Sequence, residues 1–362
     1  TTEIYTLSLH DALPISMAML GGRLFVAEYG RLSIFSVTPH LGQAPLGTWS
    51  TGLGLRDVAV SGSMVFLAST EGGLQVVDVS DVAAPVRVGW YPTAEAARDV
   101  VVRAGTAYVA SEHLGLAVLD VSRPLQPRLV RRESLPGAPS RLAWSGNCLC
   151  VASVEGGLQV LETSNPANPT WVAAITDVDA KDLWLEGKIA YLAFTDSTTS
   201  SHIDKGLRIL DLSNPAEPVL LGQTKDDGDP FRHVLVHGRH AFLSRGSAGL
   251  TVVDVSDPSA PFLVRELDTP GYAEGMTAVG PWLLLADGTA GVQVVDIARP
   301  HDPRIVATVD TPGTALDIGV RNNLAFVADS SGLVVLDIRD PGQARVLSVV
   351  ETPGSEIGRA HV

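Results

Sequence analysis

The run GLTVVDVSDPSAP from Gly249 carries the pattern on which the chain is built: a glycine, a nearly unbroken stretch of Leu and Val, then Asp, a small residue and Pro. β-Branched residues in a run of about six, bounded by Gly and Pro, predict a short strand, and the lack of polar alternation predicts cover on both faces. Pro258 has no N–H for a ladder and ends it. The phrase recurs as GLQVVDVSDVAAP from Gly73, GLAVLDVSRPLQP from Gly115, GLQVLETSNPANP from Gly157, GLRILDLSNPAEP from Gly206, GVQVVDIARPHDP from Gly291 and GLVVLDIRDPGQA from Gly332, with a weaker copy, RLSIFSVTP, from Arg31. Successive glycines are 42, 42, 49, 43, 42 and 41 residues apart. Each period also holds two short apolar runs before the phrase, such as DVAVSG and MVFLAS within 57–69, and one after it, such as PVRVGWYPT from Pro85. No segment shows a sustained helical period with caps. Four short antiparallel strands, named a to d with the repeated phrase as c, in units of about 42 residues predict an all-β fold, a β-propeller of eight four-stranded blades.

VVDVSDPSAP and its copies resemble the LVIVD repeat of bacterial and archaeal propeller-forming proteins, and the resemblance runs from about Met17 to Pro353. It implies a secreted or cell-surface β-propeller. Neither the Gly-His…Trp-Asp pattern nor the double-Gly pattern of other propeller families recurs. The first sixteen residues, TTEIYTLSLHDALPIS, and the tail 355–362 stand outside the repeat and resemble translated sequencing-adapter sequence of metagenomic fragments. They are expected to be non-native, with a single propeller domain over 17–354.

A net charge of −14 argues against a nucleic-acid backbone as partner. No apolar run reaches the length of a membrane-spanning helix. Cys148 and Cys150 lie two apart on one predicted strand and share a face, which is poor disulfide geometry, so both are expected as buried free thiols. The aromatics Phe25, Phe66, Tyr108, Tyr191, Phe242 and Phe326 fall at one position of strand b, with Cys150 and Leu284 in the remaining units. They are expected in the core between units.

Strand a should line the central channel. One equivalent position at its start holds Ser16, Asp57, Asp99, Arg141, Asp182, His233, Gly275 and Asp317. The structural reading makes these carboxylates acceptors for backbone N–H groups at the d–a turn. The functional reading makes them a polar funnel, in which Arg141 and His233 break the Asp pattern. A second set, Asp78, Asp120, Asp211, Asp254, Asp296 and Asp337 with Glu162, closes strand c and is expected to bond its own turn. His233, His237 and His240 lie too far apart along a strand for one metal. In unit 5 the long b–c insertion 195–206 includes His202 and Asp204, and the acidic turn that follows offers Asp226, Asp227 and Asp229 as oxygen ligands for Ca²⁺. No other cofactor is indicated, and no hydrolase elbow, phosphate loop or zinc-protease motif is present.

Two functions fit. The first is a non-enzymatic binding or scaffolding propeller that takes a protein or small polar ligand at the channel mouth, favoured because its polar residues recur unit by unit. The second is a hydrolase or lyase acting through Asp182, His233 and their neighbours. Irregularities concentrate in units 4 to 6, which places the expected site there.

Overall fold

The computed structural model describes residues 6–7, 16–37, 44–111, 113–166, 168–195, 205–226 and 228–351. The Leu/Val phrases form strands, and each packs as the third of four. In unit 3, Ala97–Arg103, Thr106–Ser111, Gly115–Asp120 and Arg128–Glu133 pair antiparallel in chain order. Five further four-stranded sheets repeat this for units 4 to 8. Among the described residues the only helix is a single 3₁₀ turn, Pro341–Gln343.

Units 1 and 2 depart from the expected one-sheet-per-unit arrangement. Arg23–Ser36 runs through b and c of unit 1, and Gly47–Ser61 runs through d of unit 1 into a of unit 2. The two units therefore share one seven-stranded sheet, which begins with Thr6–Leu7 paired to Ser16–Leu20. Ser16, at the edge of the segment expected to lie outside the repeat, folds as part of strand a of unit 1.

Gly291 shows why each phrase opens on glycine. Its φ is 74°, and a Cβ there would stand 2.3 Å from the Val309 carbonyl oxygen, so no side chain fits without moving the backbone of strand d. At the other end of the strand the repeated Asp bonds its own turn. Asp254 accepts the Ser256 N–H at 2.8 Å and the Ser256 hydroxyl at 2.5 Å, and Asp78, Asp120, Asp211, Asp296 and Asp337 each accept the N–H two residues on. Glu162 does the same with Ser164 at 2.9 Å.

The core among the described residues falls into eight clusters, each shared by consecutive units. The b-strand residue predicted for the core occupies each one: Phe66 faces unit 3, Tyr108 unit 4, Cys150 unit 5 and Phe242 unit 7. In the eighth cluster Phe326 and Leu333 of the last unit pack with Met17, Leu24 and Phe35 of the first. The array thus closes on itself as a β-propeller, with strand a of each unit in contact with strand a of the next from the first unit to the last. Strand d is outermost and exposes Trp90, Val219 and Phe262. Cys148 and Cys150 are buried free thiols in one cluster, and burial pushes the Cys150 thiol up to about 12.

Two substitutions test these assignments by urea denaturation. Phe326→Ala, at the closing interface, is expected to cost about 3–5 kcal/mol, whereas Phe262→Ala on the exposed rim should stay within about 0.5 kcal/mol. Asp254→Ala removes turn hydrogen bonds and should cost about 1 kcal/mol. A Phe326→Ala cost no larger than that of Phe262→Ala would mean that the first and last units do not close the ring.

Candidate functional site at the channel mouth

The residues at the start of strand a act between units. Asp57 accepts the Val100 N–H of unit 3 at 2.8 Å, Asp99 the Leu142 N–H of unit 4 at 3.0 Å, and Asp182 the Val234 N–H of unit 6 at 2.9 Å. The Ser16 hydroxyl accepts the Val58 N–H of unit 2 at 3.3 Å while donating to Asp57 at 2.6 Å. Each of these side chains ties strand a of its own unit to strand a of the next. The structural reading of the Asp set is right in kind, but the N–H group belongs to the following unit rather than to the d–a turn. Where the preceding unit offers no acceptor, the Asp turns to its own strand. After Arg141, Asp182 also receives the Leu183 N–H, and after Gly275, Asp317 receives the Ile318 N–H at 2.8 Å. Gly275 has no room for more, because a Cβ there would lie 2.0 Å from Asp317 Oδ1.

The residue before this position is the extra one of a β-bulge. Pairing steps from Leu55 to Asp57, Ala97 to Asp99, Pro139 to Arg141, Ala180 to Asp182 and Ala315 to Asp317, passing over Arg56, Arg98, Ser140, Lys181 and Leu316. Neighbours on a regular strand face opposite ways, and a bulge re-aims them. Lys181 and Asp182 consequently line the same cavity, a space of about 240 Å³ at the end of the channel that carries the d–a and b–c connections. Its charged and polar wall is Arg98, Ser140, Lys181, Asp182, Arg232, His233, Glu274 and Asp317, and Phe231 with Pro139 and Pro230 supplies apolar surface.

Electrostatics divide this site. Arg141 is held above its ordinary value because Asp182, Asp99, Asp317 and Asp57 together outweigh the cost of its burial. Its Nε stands 3.9 Å from Asp182 Oδ1. Burial would raise Asp182, but His233, Arg141 and two backbone N–H groups outweigh it and hold the carboxyl below its ordinary range. Burial raises Asp99 strongly, and the charge of Asp57 and a hydrogen bond with it add to the rise. Asp317 is pushed up to about 7, chiefly by burial, with the Ile318 N–H and Arg141 opposing and Asp182 and Glu274 adding. His233 Nε2 is 3.7 Å from Asp182 Oδ2. Burial keeps its pKa low and Arg141 lowers it further against the pull of Asp182, so at neutral pH the imidazole is neutral and attracts Asp182 as a cation only in acid.

The structure brings Asp182, His233 and Asp317 into the cavity wall, sets Arg141 against their carboxylates, and leaves Asp57 and Asp99 outside the wall in the inter-unit bonds. His202, Asp204 and Asp227 lie outside the described residues. Asp226 accepts the Gly228 N–H at 2.6 Å and pairs with Arg245 at 3.0 Å, and Asp229 accepts the Ser247 hydroxyl at 2.8 Å. Among the described residues no three His, Cys, Asp or Glu side chains gather as a metal site requires. His237 bonds the Gly280 carbonyl and His240 stands 3.7 Å from Asp254, so the three histidines serve three places.

Sequence reasoning missed Arg245. It is buried, pairs with Asp226 and Glu266, and lies 5.3 Å over the Phe231 ring, fixing one wall of the cavity. The legible signal was its register: three residues after the b-strand core position, units 2 to 4 carry Ser69, Ser111 and Ser153, and unit 6 carries arginine.

The family described as LVIVD repeat matches seven segments, residues 55–93, 94–132, 136–177, 178–226, 231–269, 270–311 and 312–352. No curated protein matches the chain. Among solved structures it is similar to the computationally designed protein Ika8, with TM-score 0.64 and 11% identity over 91% of this chain and 97% of that one. Sqt1 of Saccharomyces cerevisiae is similar with TM-score 0.61 and 8% identity, over 78% and 81% of the two chains. Hsv2p of Kluyveromyces lactis gives 0.54 and 12%, over 81% and 96%. At these identities the likeness is one of fold.

Asp317 makes a pH prediction. A carboxyl whose pKa is raised on folding binds its proton more tightly in the folded state, so stability falls as pH rises from the unfolded value near 3.8 toward about 7, and the contribution is flat above that. Asp317→Asn removes this titration. Melting temperatures from pH 4 to pH 8 should show the variant gaining on wild type up to pH 7. Parallel profiles would mean that Asp317 is ionised throughout.

Proposed function

This chain belongs to the LVIVD-repeat family, and we propose that it is an eight-bladed, non-enzymatic β-propeller that binds a small polar ligand at its channel mouth. Eight blades are supported by the eight core clusters and by the packing of the last unit on the first, with the seven-stranded sheet counted as two blades that share long strands. The same reading places the protein outside the cell or on its surface, on the strength of the family resemblance.

The observation that carries the binding reading is the cavity itself: a space of about 240 Å³ walled by residues of six consecutive units and lined by both signs of charge. Concave sites with a few convergent polar groups are where small molecules bind, and this one lies below the roughly 300–1,000 Å³ of drug-sized pockets. Its polar groups are largely held by structural bonds, which favours binding over catalysis. The one hydroxyl in the wall, that of Ser140, has the Ala152 and Ala180 carbonyl oxygens as acceptors, both at 3.1 Å. Neither acceptor is a base of the kind that activates a nucleophile.

A thermal-shift screen of small polar metabolites tests this, with Ala138→Trp as the variant that fills the cavity from its wall. A ligand at a hundred times its Kd should stabilise wild type by about 2.7 kcal/mol and leave the variant unmoved. Equal shifts in both proteins would place binding elsewhere, and conversion of the compound would make the protein an enzyme.

A further inference from the structure

The charge in the cavity is arranged in two tiers. Asp182 and Asp317 are buried, whereas Arg98, Lys181 and Glu274 are part-buried and Arg232 is exposed, so three cations outnumber one carboxylate in the outer tier. The bulge makes this possible within one strand, since Lys181 and Asp182 are consecutive residues in the same wall. Arg232 is held in place over the Tyr272 ring, 5.2 Å from its centroid, and donates to the Tyr272 hydroxyl. The Lys181 ammonium makes no ion pair or hydrogen bond among the described residues. Beneath, one guanidinium, that of Arg141, faces Asp182, Asp99, Asp317 and Asp57, which leaves an acidic surplus on the inner side.

A simple anion drawn in by Arg98, Lys181 and Arg232 would meet Asp182, Asp317 and Glu274. A simple cation suited to Asp182 and Asp317 would have to pass an outer tier in which three cations outnumber one carboxylate. A neutral ligand would cover the Lys181 ammonium without bringing it an opposite charge, at the cost of its desolvation. A molecule that carries both charges a few bonds apart satisfies both tiers, and the small volume limits it to a metabolite. Resting on the binding reading above, we propose that the cavity takes a small zwitterion of the amino-acid type, its carboxylate held by Arg98, Lys181 and Arg232 and its ammonium by Asp182 and Asp317. Arginine in the outer tier suits a planar carboxylate, which it engages through two parallel N–H groups.

The test is calorimetric titration of the full chain with the twenty proteinogenic amino acids, β-alanine and γ-aminobutyrate. Each binder is then compared with its N-acetyl form, which lacks the ammonium, and its carboxamide, which lacks the carboxylate. At least one free amino acid should bind, and each derivative should bind at least tenfold more weakly. Lys181→Gln should weaken the free amino acid at least fivefold and leave the carboxamide unchanged. Asp317→Asn should weaken the free amino acid and leave the N-acetyl form unchanged, with circular dichroism confirming that both variants fold. Failure of every amino acid to bind, or a derivative that binds as tightly as its parent, overturns the proposal. If a compound of another charge class stabilises wild type but not Ala138→Trp, the binding reading stands and the zwitterion falls. If no compound of any class separates those two proteins, both fall.

Discussion

No unit of this chain can bury its own apolar surface. A four-stranded sheet offers two hydrophobic faces, and the Leu/Val phrases make strand c apolar on both, so each sheet needs a neighbour on either side. The b-strand aromatic sits in that contact, Phe66 against unit 3 and Phe242 against unit 7. A linear stack would leave two faces open at its ends. Packing Phe326 and Leu333 against Met17 and Leu24 removes both, and the channel, its mouth and its charges all follow from that closure.

Closure brings the a strands together at the centre, where their first N–H groups would be crowded away from water. An unpaired buried N–H is costly, and a carboxylate from the preceding unit answers it for Val100, Leu142 and Val234. This structural use of aspartate has an electrostatic consequence. Repetition around a ring gathers like charges where burial already disfavours ionisation, which is why Asp99 and Asp317 are raised. Arg141 relieves the ring by standing where a further aspartate would otherwise fall. The departures from the repeat are therefore coupled to one another. Arg141 and Gly275 each withdraw an acceptor, and Asp182 and Asp317 each compensate on their own strand.

The bulge is the second device. It lets a scaffold whose side chains should alternate present two successive residues to one space, a cation and a carboxylate in unit 5. Arg245 and Phe231 then stiffen one side of that space from behind. The wall rests on strands and buried ion pairs rather than on loops alone, the condition for a site to hold its geometry without a ligand.

The fold class, the period of about 42 residues, the strand order within a unit, the buried b-strand position and the turn-bonding role of Asp254 and its equivalents were all legible in the sequence, because each depends on local chemistry repeated many times. So was the position that faces the channel, including the breaks at Arg141 and His233. Three things were decided only by the tertiary structure. The N–H groups that the channel aspartates accept lie 43 residues away for Asp57 and Asp99 and 52 for Asp182, on the next unit, a distance at which no local pattern speaks. The merging of units 1 and 2 into one sheet depends on long strands that continue through two positions of the repeat. The composition of the cavity wall depends on a one-residue bulge and on six units meeting, so Arg98, Lys181 and Arg232 came to share a wall with Asp182 and Asp317 only through the tertiary structure.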